Sequence, residues 1–466
     1  MLDRRPDTPL SSPIADGLPA NRRRWAVAAI FTALAMASLD TAIANIALPT
    51  IAADLKVSPA DVVWVVNVYQ IALVATLLPL GALGEIVGHQ RIYLAGLILF
   101  TLASLGCALA WSLPSLLAAR VLQGLGASGL MSVNSALIRF IYPSRMFGRG
   151  IGHNALVVGT AFTFGPTIAS GILAFGPWPW LFAINIPFGL VAIAIGMRTL
   201  PRMPRAGHAF DFLGASLAAI CLGLFILGIG SAAHKASSGL VMAELFGAIA
   251  IGLFVIRRQA DHPAPMLPID LFRRPMFALS AATAVCSFAV QGLAFVSLPF
   301  YFEDILHRTQ VETGFFMTPW PLVVALMGPV GGRLSDRHPA GLLGGLGLVL
   351  LAIGMVLLAT LPASPGILSI VWRMAICGVG FGFFQTPNLR AIMSSAPPAR
   401  SGGASGIVAT ARLTGQTTGA ALAALCFALF GRDGATMALA FGAGFAATGC
   451  VMSFLRLTVQ PARTKL

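Results

Sequence analysis

Apolar residues in this chain come in long unbroken runs, not in the alternation of a half-buried strand or the three-to-four spacing of a surface helix. The runs fall at roughly 25–48, 62–83, 92–112, 115–138, 151–175, 180–199, 210–232, 239–256, 276–302, 313–332, 341–361, 366–389, 403–430 and 435–456. At 1.5 Å rise per residue, most can cross a hydrocarbon layer about 30 Å thick as a helix. A membrane β-barrel would instead alternate over strands of about 10 residues. The pattern therefore predicts an all-α polytopic membrane protein with fourteen spans. The first run is too long for a signal-peptide core and lacks a cleavage site, so it is read as a retained span.

Composition agrees. Of 466 residues, 57% are hydrophobic and 10% charged, against about 25% charged in soluble domains. The net charge of +14 would point to nucleic acid in a soluble protein, but its distribution is topological. With the N-terminus inside, twenty-three of the 30 Lys+Arg lie in inner segments, including Arg4, Arg5, Arg22, Arg23, Arg24, Arg145, Arg205, Arg400, Arg463 and Lys465. Four (Lys56, Lys235, Arg308, Arg432) lie in outer loops, and Arg120, Arg373 and Arg412 lie within spans. That split follows the positive-inside rule and puts both termini in the cytoplasm. The six cysteines all sit inside apolar runs, which indicates neither disulfides nor a metal site.

The chain also echoes itself at an offset near 250. Leu48-Pro49 and Asp54 recur as Leu298-Pro299 and Asp304; Gly81 to Gly88 resembles Gly332 to Arg337; Arg120, Gly124 and Gly126 recur as Arg373, Gly378 and Gly380. Span 1 thus matches span 9, and span 4 matches span 12. The resulting division is a tail (1–24), a six-helix half (25–200), two inserted helices with linkers (201–275), a second six-helix half (276–456) and a tail (457–466). Two like-oriented halves around a midplane site is a design of secondary transporters.

Five stretches resemble the major facilitator superfamily, and within it the fourteen-helix drug:proton antiporter branch. They are Leu39 to Pro49, Gly81 to Arg91, Arg120 to Gly126, Gly165-Pro166, and Trp180 to Gly189. The resemblance implies a secondary active transporter, with gating at the loop Gly81, Gly84, Glu85, Gly88 and Arg91, its second-half counterpart Asp336 and Arg337, and the helix-5 antiporter pair Gly165 and Pro166. Two departures stand out. Glu85 replaces the usual aspartate, followed by His89-Gln90-Arg91, and Ala169-Ser170 stands where the antiporter motif has a glycine pair. The second departure leaves the direction of transport open.

Among 16 Asp+Glu, only Asp40 lies deep in a span. It sits roughly 12 Å from the outer end of span 1, and Arg120 roughly 9 Å from the outer end of span 4. The two can meet, and a buried carboxylate beside a guanidinium can act as a proton switch, since burial favours the protonated form and the cation the ionised one. Asp40 and Arg120 are accordingly the candidates for proton coupling. Asn45, Asn67, Gln70, Gln123, Asn134, Gln291, Arg373, Gln385, Asn388 and Arg412 are the candidate lining of a substrate cavity. Any single amide among them can equally serve as interhelical glue.

The resemblance implies proton-coupled efflux of amphipathic compounds. The competing reading is uptake of an aromatic or heterocyclic nutrient, such as a flavin-type vitamin. It is supported by the eroded antiporter motif and by three intramembrane arginines against one acid. A sensor or scaffold is disfavoured for want of a soluble domain, and nucleotide-driven transport for want of a phosphate-binding loop. No enzyme activity, cofactor or nucleic-acid partner is expected. The expected surroundings are a small-molecule substrate, protons and the lipid of a cell (inner) membrane, with the chain acting as a monomer.

Overall fold

The computed structural model describes residues 17–143, 146–203, 211–233, 237–260, 269–362, 364–396 and 401–458. Arg4, Arg5, Arg145, Arg205, Lys235, Arg400, Arg463 and Lys465 lie outside the described residues, as does most of each expected tail. Every regular element among the described residues is helical. The long helices are α1 (Ala20–Leu55), α2 (Pro59–Val87), α3 (His89–Ala108), α4 (Leu113–Ile141), α5 (Phe147–Phe175), α6 (Trp180–Thr199) and α7 (Phe212–Ala233). They continue as α8 (Ser238–Ala260), α9 (Pro275–Ile305), α10 (Gln310–Leu334), α11 (Ala340–Ala359), α12 (Ile367–Ser395), α13 (Ser401–Phe430) and α14 (Gly434–Leu455).

Among the described residues, thirteen stretches are long and apolar enough to cross a membrane. The last, Gly406–Leu455, spans 50 residues and contains most of α13, all of α14 and the 3₁₀ turn Gly431–Asp433 between them. Helix α1 continues past the end expected from its apolar run, through Pro49 to Leu55. The extension holds because Pro49, Ile51 and Ala52 are buried, because Asp54 accepts a bond from the Trp178 indole at 2.7 Å, and because Lys56 closes the helix in the left-handed conformation.

We call the face at which α1 begins the near face and the opposite one the far face. Neighbouring helices approach on small residues, as bundles in lipid do, and the same approach occurs twice. A methyl group added to Gly126 of α4 would sit 2.5 Å from the Phe100 nitrogen of α3, and one added to Gly380 of α12 would sit 2.5 Å from the Leu351 nitrogen of α11. Helices α7 and α8 form a hairpin tied by Arg258 and Asp211 at 2.8 Å. Helix α7 rests on α2 and α13 together, with Gly230 against the Trp64 ring. Helix α8 turns Phe246, Ile249 and Phe254 outward, as a lipid-facing helix does.

The cores reveal how the halves meet. The largest pools Ile43 to Val66 with Phe288 to Trp320 and Ala420 to Ala438, fusing α1–α6 to α9–α14 at the far side. Toward the near face the apolar interior splits. Ala26 to Ala37, Leu73, Leu77 and Leu130 to Tyr142 form one core, joined from the second half only by Leu413 and the partly buried Ala409. Phe277, Ala281, Ile392 and Ile407 form another. The molecule is thus closed at the far face, with separate interiors at the near one.

Candidate functional site

Asp40 sits midway along α1 and is 2% exposed. Its Oδ2 accepts from Arg120 Nη1 of α4 at 2.5 Å, and its Oδ1 accepts from Gln123 Nε2 at 2.8 Å and Asn185 Nδ2 of α6 at 3.2 Å. Arg120 and Gln123 share a face because they lie three apart on a helix. Arg120 also donates to Gln123 Oε1 at 2.6 Å and, through Nε, to the Val65 carbonyl of α2 at 2.9 Å. Its guanidinium lies 4.2 Å from the Tyr69 ring centroid and 5.5 Å from that of Phe182, a cation–π enclosure that desolvation strengthens. Gln123 reaches Ser104 of α3 at 2.9 Å. One carboxylate thus ties α1, α4 and α6 together, and its partners reach α2 and α3.

This geometry fits the ionised carboxylate, because every contact to Asp40 is a donor. A proton placed on Oδ2 would oppose the Arg120 N–H and cancel the attraction between the two groups. Arg120 would keep Val65 and Gln123, while α1 would lose its strongest link to α4.

The cleft between the halves is a different surface of the same helix. Thr41 and Asn45 of α1, Gln70 of α2, Phe162 of α5, Gln291 and Phe295 of α9, and Gln416 and Ala420 of α13 line it. Successive helical residues point about 100° apart, so Asp40 faces the first bundle while Thr41 faces the cleft. Gln416 donates to Gln291 at 2.7 Å, and Thr417 donates to Gln70 across the halves at 3.0 Å. The space left is ≈ 20 Å³, about enough for one water.

The remaining expected lining residues are dispersed. Asn67 is buried with its Oδ1 unpartnered, and Gln385 is partly buried. Asn134 donates to Asn154 of α5 at 2.5 Å. Asn388 donates to the Ser280 carbonyl at 3.1 Å and accepts from Arg456 at 2.6 Å, inside the second bundle. Arg373 folds back onto Ser369 of its own helix and stacks 4.4 Å from Trp372. Arg412 has no hydrogen bond or ion pair among the described residues, and its Nε is buried.

The expected gating residues fall in two places. At the near face, Gly88 has φ +112, a conformation other residues rarely adopt, and it turns α2 into α3. Gly84 lets α2 sit against Val133 of α4, and Gly81 lies over Ser132. Glu85, Arg91 and Arg337 are exposed, while Asp336 pairs with Arg390. At the far face, a methyl on Gly165 would meet the Ala42 methyl at 2.5 Å, and Pro166 offers its carbonyl to the α10 surface beside Gly314.

Sequence reasoning did not single out Asn185, Ser104, Gly314 or the buried Arg456. A lone serine in an apolar run carries no signal, Gly314 has no side chain to notice, and Arg456 reads as one more basic residue at an inner helix end. Asn185 was within sight, since it lies in the motif stretch Trp180 to Gly189.

The sequence model of the Major Facilitator Superfamily matches residues 30–420. The chain is 50% identical over 451 residues to the uncharacterized transporter YebQ of Escherichia coli (strain K12), covering 96% of this chain and 98% of that one. It is 32% identical over 411 residues to the riboflavin transporter RibZ of Clostridioides difficile (strain 630), covering 87% and 89%. To the multidrug resistance protein Stp of Mycobacterium tuberculosis (strain CDC 1551 / Oshkosh) it is 30% identical over 398 residues, covering 84% and 73%. Among solved structures, a bacterial homolog of the human lysosomal transporter Spinster, inward-facing and unoccupied, superposes with a TM-score of 0.71 at 15% identity, covering 96% of this chain and 100% of that one.

Proposed function

This chain belongs to the Major Facilitator Superfamily and is a transporter, not an enzyme; from that premise we propose that it is a proton-coupled exporter of small amphipathic molecules, with Asp40 as the proton carrier. The observation that supports this most is the buried Asp40–Arg120 pair at 2.5 Å, held inside a bundle where an intramembrane ionisable pair is costly and functional by default. A proton entering from outside would weaken the α1–α4 link and favour rearrangement of the first half. Its release inside would restore the pair.

The proposed arrangement is fourteen spans in two six-helix repeats (25–200 and 276–456) around an inserted pair (201–275). It counts α13 and α14 as separate crossings. The near face would be cytoplasmic, which suits the excess of basic residues there, and the protein would sit in the inner membrane as a monomer. With that orientation, the fused far-side core and the separate near-side interiors would correspond to an inward-open state. Asn45, Gln70 and Gln291 would then contact substrate, Asp336–Arg390 and the Gly81–Arg91 loop would brace the near side, and Gly165–Pro166 would brace the far side.

The test is Asp40→Asn in proteoliposomes at defined pH. Substrate exchange should persist while gradient-driven movement disappears. A variant that still concentrates substrate and still responds to pH would place the carrier elsewhere.

A second reading, uptake of a flavin-type nutrient, is favoured by the relative named a riboflavin transporter and by a cleft lined with amides and aromatic rings and no carboxylate. Accumulation of a labelled flavin and of a fluorescent dye, compared in transporter-deficient cells with and without this protein, separates the two. Flavin rising with expression supports uptake; dye falling supports export.

A further inference from the structure

The geometry points to Arg412 as the residue that binds an anionic group on the transported molecule; this assignment rests on the transport reading above. Arg412 lies on α13, four and eight residues before Gln416 and Ala420, both of which line the cleft. Positions four apart on a helix stack on nearly one line, so Arg412 continues the cleft wall one turn toward the near face. It is partly buried.

The other two arginines within the spans are occupied. Arg120 bonds Asp40, Gln123 and Val65 and leaves only its Nη2 over, and Arg373 bonds Ser369 and leaves its Nε over. Arg412 has no ion-pair or hydrogen-bond partner among the described residues, and its Nε is buried without an acceptor. A guanidinium cannot shed its charge by deprotonation, so burial without an anion is a standing cost. The cleft lining holds no acid to relieve it, and the buried carboxylate of the first bundle, Asp40, is held by Arg120. What completes the site is an acceptor brought by the cargo: a carboxylate, phosphate or ionised ring oxygen, with its aromatic body against Phe162 and Phe295. A guanidinium fork matches such groups in two-point contact. A cationic cargo would meet like charge here with no acid in the lining to offset it.

The experiment uses purified full-length protein and two xanthene dyes of similar size, anionic fluorescein and cationic rhodamine 123, with riboflavin as the neutral member. The native protein should bind fluorescein about tenfold or more tighter than rhodamine 123. Arg412→Gln should lose about tenfold or more of fluorescein affinity while rhodamine 123 and riboflavin change little, since one charge-assisted contact is worth at least that factor. Arg412→Lys should keep most of the preference. Thermal unfolding of each variant identifies any that fail to fold, in which case the native preference decides alone. Native protein that binds fluorescein no better than rhodamine 123, or a folded Arg412→Gln with fluorescein affinity unchanged, overturns the assignment. Arg412-dependent binding of fluorescein with no dye or flavin moved in proteoliposomes would keep the anion site and sink the transport reading. Transport indifferent to Arg412 would do the reverse.

Discussion

At the scale of single residues, the buried ion pair of the first bundle is where losing one partner costs most. Arg120 and Asp40 are both essentially excluded from solvent, so a change at either is felt by the other, least where asparagine keeps an acceptor oxygen at position 40. Arg120→Gln should destabilise the protein by about 3–5 kcal/mol, the range for stranding a buried charge, and Asp40→Asn added to it should recover much of that loss. Thermal unfolding in detergent checks both, and simple additivity of the two changes would rule out a coupled pair. Asn185→Leu removes only the weakest of the three donors to Asp40, at 3.2 Å. It should leave folding near normal, since Arg120 and Gln123 still hold the carboxylate, and thermal unfolding in detergent within a few degrees of the unmutated protein checks this. The pair itself was legible in the sequence, since a lone acid and an arginine at similar depth in an apolar chain have few alternatives. Its orientation was not. Whether Asp40 faces the cleft or its own bundle depends on rotation about α1, and α1 is apolar on nearly every side, so no polar face marks the answer.

At the scale of helices, the sharpest constraint is the crossing of α5 and α10 at the far face. A methyl group on Gly314 would lie 2.6 Å from Ser170 Cβ and 2.7 Å from the Pro166 carbonyl oxygen. Thr167 and Thr318 hydrogen-bond beside it at 2.8 Å. Gly314→Val should therefore prevent the far side from closing, reducing transport several-fold while opening engineered far-face cysteines to water-soluble thiol reagents. Ser170→Gly should fail to rescue it, because the Pro166 carbonyl belongs to the backbone and stays in place. Unchanged labelling in Gly314→Val would show that the crossing yields without opening. Helices were readable from run length alone, since lipid forces every backbone group to be satisfied within its own segment. Their ends were less so. Pro49 marks a plausible stop for α1, and only burial of Ile51 and the Trp178–Asp54 bond, both supplied by other parts of the chain, carry the helix beyond it.

At the scale of the whole molecule, topology is the firmest expectation: a reporter fused after Leu466 should be active only in the cytoplasm, and activity outside would refute the assigned orientation. The two seams between the halves are also unequal. Along α2 and α13 the contact runs deep toward the near face, from the Gln70–Thr417 bond to Leu78 beside Gly406, and α7 lies over both helices. Along α5 and α10 the contact is tight only at the far side. Nearer the other face, Gly159 and Gly328 look into open space, and Leu156 and Leu326 are about two-thirds exposed. A body joined along one edge and parted along the other turns about the joined edge. Under the transport reading proposed above, the α2–α13 seam, with the α7–α8 hairpin laid along it, would be the axle, and α5 and α10 the rim that travels farthest. Spin labels near the close-packed edge should keep almost the same separation through a transport cycle, while a pair at Leu156 and Leu326 should swing by many ångströms.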